Sequence, residues 1–158
     1  NEMRDYLEYI EAADPRRLPG EVLKVIEAGT ASGKLNPSDR TVAEIKAMAN
    51  ERVGADRASL PALERDARAA SSTAVTALAS GDAFLSYGDA AKAEALYAIA
   101  LGKPGVDQPR ALTRLGIAQV DQGKYAEAQA TFAKITGPRK PIADLWTAYA
   151  QSKAKGGV

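Results

Sequence analysis

Cysteine and histidine are both absent from the 158 residues. Their absence excludes a disulfide framework, a zinc finger, a cysteine nucleophile and a histidine general base together. No apolar run reaches the ~18–20 residues that a membrane-spanning helix needs. An excess of one charge is lacking too: 21 basic and 20 acidic residues leave +1, whereas a dedicated nucleic-acid binder carries a strong basic surplus. Aromatic residues are scarce at 6%, and no period-two alternation marks a strand. Alanine is abundant instead, at 33 of 158 residues. Small side chains on good helix formers predict closely packed helices, and the length suits about one domain.

The charges are unevenly placed. Residues 74–108 carry two basic and four acidic side chains, whereas residues 109–158 carry eight basic and three acidic ones. A solvated helix surface and an acidic protein partner both fit such a basic end. Residue 1 is Asn, and no charged start followed by an apolar stretch comes after it. The chain reads as a fragment or a processed form, and its compartment, cytoplasm or periplasm, stays open.

A repeat organises the second half. An offset of 35 residues lays Gly81 on Gly116, Gly88 on Gly123, Ala93 on Ala128, Ala95 on Ala130 and Tyr97 on Phe132. Antiparallel helix pairs explain each match. Gly88 and Gly123 fall in the turn within a pair, where positive φ is cheap for a residue without Cβ. Gly81 and Gly116 fall inside the first helix, where glycine costs about 1 kcal/mol relative to alanine, so a close neighbour is expected to offset it. Ala128, Phe132 and Ile135 share one face of the second helix by their spacing of four and three.

These residues resemble the tetratricopeptide repeat, whose signature is a bulky residue, Leu-Gly, a turn glycine before an aromatic, then Ala and Phe at helical spacing. The better copy is Leu112, Leu115-Gly116, Gly123, Tyr125, Ala128, Phe132 and Ile135, with Gln119 where an aromatic is usual. The copy before it is degenerate: Ala77 and Ser80 replace the bulky residue and the leucine, while Gly81, Phe84, Gly88, Ala93, Tyr97 and Ala100 fit. A partial third copy, with Asp144-Leu145-Trp146 and Tyr149-Ala150, stops after one helix, as a terminal helix covering a last repeat does.

Upstream, only the architecture is similar. Tyr6, Tyr9 and Ile10 mark a helix that Asp14-Pro15 breaks, and Pro19 opens a second helix with Val22, Ile26 and Gly29 on one face. After the loop signal Asn36-Pro37, Thr41 and Glu44 have capping-box spacing for a helix to about residue 57. Ser59-Leu60-Pro61 then reads as the start of another helix, through Ala70, with Ser71-Ser72-Thr73 interrupting. The expected fold is all-α, a right-handed α-solenoid of about seven to nine helices in antiparallel pairs. Within a single helical-repeat domain, residues 1–73 form irregular pairs, 74–108 a degenerate repeat, 109–142 a repeat and 143–155 a capping helix.

Catalytic signals are weak. Gly29-Thr30-Ala31-Ser32-Gly33-Lys34 has three residues between its glycines, where a P-loop has four, and lacks the following Ser or Thr and the preceding strand. It reads as a helix C-terminal turn. Asn36-Pro37-Ser38 is no glycosylation acceptor. Glu8, Glu11, Glu44 and Glu51 sit on solvated faces by their pattern, and nothing selects a carboxylate pair. Trp146, Tyr149 and Tyr125 can be read as a peptide-binding aromatic cluster, but Trp146 and Tyr125 hold repeat positions that pack between helices, so core packing is the expectation. No enzyme activity, cofactor or metal is expected.

The resemblance implies a recognition surface on the first helices of successive repeats. Its positions here are Val75, Leu78, Ala79 and Asp82, then Arg110, Thr113, Arg114 and Ile117, then Thr147 and Gln151. Family members that clamp a C-terminal carboxylate use Lys and Asn at positions held here by Leu78, Asp82, Thr113 and Ile117, so that subclass is not expected. Arg110 and Arg114, one helical turn apart, suit an acidic side chain or a phosphate, and two solvated arginines suit the pattern equally. The implied function is a protein-interaction module whose partner is a protein or peptide of acidic character, not a nucleic acid or a membrane. The alternative is a structural helical spacer of a longer multidomain or cell-envelope protein.

Overall fold

A computed structural model describes residues 2–156. Its described residues form eight α-helices and one short 3₁₀ turn, with no strand. The helices are α1 (Glu2–Ala13), α2 (Pro19–Ala31), α3 (Arg40–Arg68), α4 (Ala74–Ser86), α5 (Ala90–Leu101), α6 (Gln108–Asp121), α7 (Tyr125–Phe132) and α8 (Lys140–Ala154), with the 3₁₀ turn at Gly137–Arg139. Packing is between chain neighbours: α1 on α2, and α4 through α8 each on the next. None of these helices is long and apolar enough to cross a membrane.

The chain divides into two compact units, Asn1–Ser59 and Leu60–Val158. In the first, Ile10, Val22, Ile26, Leu35, Val42 and Ile45 make the core. The Asp14-Pro15 break is present: Asp14 takes φ of 57° and its carboxylate accepts the Arg16 N–H at 2.9 Å. The glycine-rich string closes α2 as a turn, with Gly33 at φ of 71° and the Lys34 N–H returning to the Gly29 carbonyl at 2.9 Å. That geometry is a helix stop.

Helix α3 corrects two expectations. Asp39, rather than Thr41, caps it: its carboxylate accepts the N–H groups of Thr41 at 2.9 Å and Val42 at 3.2 Å, a role its charge favours at a helix start. Glu44 pairs with Arg40 instead of closing a capping box. The helix also runs on through Pro61, where the sequence predicts a new start. Ser59 does not cap the residues ahead; its hydroxyl turns back to the Asp56 carbonyl at 2.6 Å. Ion pairs four residues apart, Arg52 with Asp56 and Arg68 with Glu64, flank the proline on a stretch rich in helix formers. Proline removes one hydrogen bond, which the helical run outweighs here.

In the second unit the glycines matched by the 35-residue offset occupy equivalent places. Helices α4 and α6 both end in a left-handed glycine, Gly88 at φ of 85° and Gly123 at φ of 74°. In each turn the residue after the glycine donates to the carbonyl five residues back: Asp89 to Phe84 at 3.0 Å and Lys124 to Gln119 at 2.9 Å. These are Schellman closures, available because glycine has no Cβ. The interior glycines serve close approach, as a Cβ on Gly81 would lie 2.6 Å from the Tyr97 ring and one on Gly116 would lie 2.2 Å from the Phe132 ring. Each second helix thus presses an aromatic ring onto bare backbone of the first. Helix α7 stops at Phe132, so Ile135 is buried from the segment after the helix.

Candidate functional site

Helices α4, α6 and α8 carry the expected recognition residues, and α6 touches both of the others. Two of the ten positions are withdrawn from solvent. Leu78 is 6% exposed within the core of α4, α5 and α6, and Thr113 is 6% exposed, its hydroxyl donating to the Pro109 carbonyl at 2.7 Å. Neither presents a side chain to a partner, because helix packing claims that side of α4 and α6. Val75 is 76% exposed; Ala79 and Gln151 are exposed, and Ile117 is half-buried. Thr147 is half-buried and donates to the Ala143 carbonyl at 2.9 Å.

Asp82, Arg110 and Arg114 do come together. The Arg110 Nη2 lies 3.5 Å from one Asp82 oxygen and the Arg114 Nε 3.7 Å from the other. Beneath them the Tyr97 hydroxyl, on α5, donates to Asp82 at 2.7 Å. Tyr97 itself is fully buried, and its ring is the one seated on Gly81. Burial, reinforced by the Asp82 carboxylate that receives its hydrogen bond, pushes the phenol well above its ordinary value, while Arg114 and Arg110 act in the opposite direction. The cluster therefore holds one carboxylate, a neutral phenol and two guanidinium groups. Its net charge is positive, and both ion contacts are long for charge-assisted hydrogen bonds.

A second polar network gathers around Glu94, also on α5. Glu94 accepts from Gln122 at 2.6 Å, Lys124 at 2.8 Å and Gln119 at 3.3 Å, while the Thr131 hydroxyl donates to Gln119 at 2.7 Å. Gln119 is thus a buried two-way bridge between α5 and α7. Burial alone would raise the Glu94 carboxyl, but the donors Lys124, Gln122 and Gln119 outweigh it and hold it below the ordinary value. A carboxyl depressed by folding stabilises the native state above its unfolded value, near 4.5, and that contribution is lost as pH falls through the folded one. Glu94→Gln is expected to flatten the acid limb of a stability-versus-pH profile below about pH 4.5. An unchanged limb would assign acid sensitivity elsewhere.

The sequence reading misses two features. Tyr97 is legible as a repeat aromatic, but its hydroxyl contact with Asp82 joins residues fifteen positions apart on different helices. The other is an apolar stripe on α8: Ile142 at 46%, Leu145 at 72% and Tyr149 at 47% exposed, with Trp146 half-buried beside them. Its spacing of three and four was a readable signal. Among the described residues no group of three or more carboxylates is placed to hold a metal ion. Compared with known protein families, curated protein sequences and solved structures, the chain has no significant match.

Proposed function

We propose that this chain is a non-enzymatic protein-interaction module, its second unit a short right-handed α-solenoid of tetratricopeptide-like pairs that holds an acidic segment of another protein along α4, α6 and α8. The observation that carries this reading is the surplus of guanidinium over carboxylate at Asp82, Arg110 and Arg114. Two arginines, with side chains 44% and 42% exposed, share one aspartate at 3.5 and 3.7 Å and keep most of their N–H donors for another acceptor. Exposed Val75 and half-buried Ile117 add apolar contact on the same helices. A surface built on packed helices needs little ordering on binding.

An array of ~12-residue peptides graded in Asp and Glu content tests this reading, with binding sites mapped by amide shift changes on the intact chain. Acidic peptides are expected to shift Arg110, Arg114 and Ile117, and Arg110→Glu with Arg114→Glu to weaken them by about tenfold or more. Equal retention of neutral and acidic peptides, or shifts confined to other helices, removes the reading. The spacer alternative predicts no peptide binding at these arginines at all.

A further inference from the structure

We propose that Asp82 decides which anion the basic face takes: one side-chain carboxylate of a bound peptide, in preference to a phosphorylated residue. The inference rests on the peptide-binding reading of Arg110 and Arg114 and adds the chemistry of the group they hold. Charge counting comes first. Asp82 is the only charged side chain of α4, and Arg110 and Arg114 are the only cations of α6. Asp107 caps α6, accepting the Arg110 N–H at 3.1 Å, and Asp121 lies seven residues beyond Arg114, about 10 Å along the helix. The charged side chains of α5, Lys92 and Glu94, are engaged with Glu64 and Lys124. Burial keeps Tyr97 protonated, so the two guanidinium groups and one carboxylate leave a single positive charge.

Packing holds the carboxylate where a ligand must meet it. Asp82 Oδ1 accepts the hydroxyl of the fully buried Tyr97 at 2.7 Å, and the Asp82 side chain is only 25% exposed. The same oxygen faces the Arg114 Nε at 3.7 Å, and Oδ2 faces the Arg110 Nη2 at 3.5 Å. An anion that takes the remaining guanidinium donors therefore sits beside a fixed negative charge. Two energies then scale differently. The cost of stripping water from an ion grows with the square of its charge, whereas its attraction to a site of fixed charge grows only in proportion. A peptide carboxylate brings one negative charge and neutralises the cluster. A phosphoryl dianion brings two, costs about four times as much to desolvate, and leaves a surplus negative charge against Asp82. Like charge set beside the preferred anion is a common way to reject a related one.

The test titrates the intact chain, read by amide shift changes at Arg110 and Arg114, with end-blocked ~12-residue peptides alike except for a central Glu, phosphoserine or Gln. At pH 7.5 the Glu peptide is expected to bind about threefold or more tighter than the phosphoserine peptide, and tighter than the Gln peptide. Phosphoserine gives up its second charge at about pH 6, and the chain has no histidine to titrate between pH 5 and 7.5. Phosphoserine binding should therefore strengthen by about threefold at pH 5, where plain attraction to arginine predicts weakening. This comparison uses the parent alone, so it stands whatever the stability of a variant. Asp82→Asn keeps an oxygen to accept from Tyr97 and removes the charge. It should tighten the Glu peptide by about fivefold and the phosphoserine peptide by about 25-fold, the same coupling acting on twice the charge. Glu127→Gln, which changes the charge equally on α7, should leave both within about twofold. A parent that prefers phosphoserine at pH 7.5, phosphoserine binding that weakens at pH 5, or an unchanged preference in Asp82→Asn overturns the role of Asp82 and leaves the basic face standing. Failure of all three peptides to bind removes both.

Discussion

Phe132→Ala is expected to lower the stability of the second unit by about 3–5 kcal/mol, the usual loss for a fully buried aromatic ring. Phe132 is 2% exposed, seated on the backbone of Gly116 and stacked on Trp146 with ring centroids 6.2 Å apart. The alanines that share its core, Ala128, Ala143 and Ala150, are too small to fill the space it leaves. Gly116→Ala should destabilise as well. Alanine gains about 1 kcal/mol of helix propensity, but its Cβ falls 2.2 and 2.5 Å from Phe132 ring carbons, and overpacking costs about 1–3 kcal/mol. Combining Gly116→Ala with Phe132→Leu should cost less than the two single changes added, because the smaller side chain makes room for the methyl. Urea denaturation followed by the fluorescence of Trp146, the only tryptophan, reads this unit directly. A Gly116→Ala variant more stable than the parent would remove the close-approach account of both interior glycines.

That account was legible in the sequence, and the reason is physical. A glycine in a helix or after its last turn answers a need fixed within a few residues, so Gly81, Gly88, Gly116 and Gly123 announce their roles without knowledge of the fold. The end of α2 at Gly33 was readable on the same grounds. Helix boundaries set by competition were not. Ser59 and Pro61 permit a helix start without requiring one, and Arg52, Asp56, Glu64 and Arg68 favour continuation. At Asp39 a stronger cap stood two residues ahead of the predicted one.

The candidate site was legible only in outline. Helix periodicity places Leu78 and Thr113 on the first helices, but which side of a helix stays open depends on how its neighbour crosses it. The packing of α4, α5 and α6 closes over both. Arg110 and Arg114 stand out by their spacing, whereas their shared partner Asp82 lies a full repeat away, 28 and 32 residues earlier. Local patterns do not reach that far. The α8 stripe shows the converse: Ile142, Leu145 and Tyr149 are evident by spacing, but only burial reveals that no described helix covers them.

Tyr97→Ala should be the second large loss, again about 3–5 kcal/mol, because it empties the fully buried site beside Gly81. The more informative change is Tyr97→Phe, which keeps the ring and deletes only the hydroxyl that donates to Asp82 at 2.7 Å. Its cost at neutral pH should be about 1 kcal/mol. In alkali the sign reverses. The phenol's folded pKa is raised above its ordinary value of 10, so the tyrosine's contribution is complete below about pH 10 and declines as the unfolded chain releases a proton that the folded one retains. Each further pH unit should remove about 1.4 kcal/mol from the parent, a slope that Tyr97→Phe lacks. The two stability curves should therefore cross about one pH unit above the phenol's ordinary value. Parallel curves up to pH 11 would mean that the hydroxyl ionises as freely in the folded state as in the unfolded one. Asp82 would then owe its place under Arg110 and Arg114 to the arginines alone. If the curves cross, a buried phenol on α5 anchors the carboxylate that organises the basic face, and changes at Tyr97 should alter acidic-peptide binding without touching the peptide.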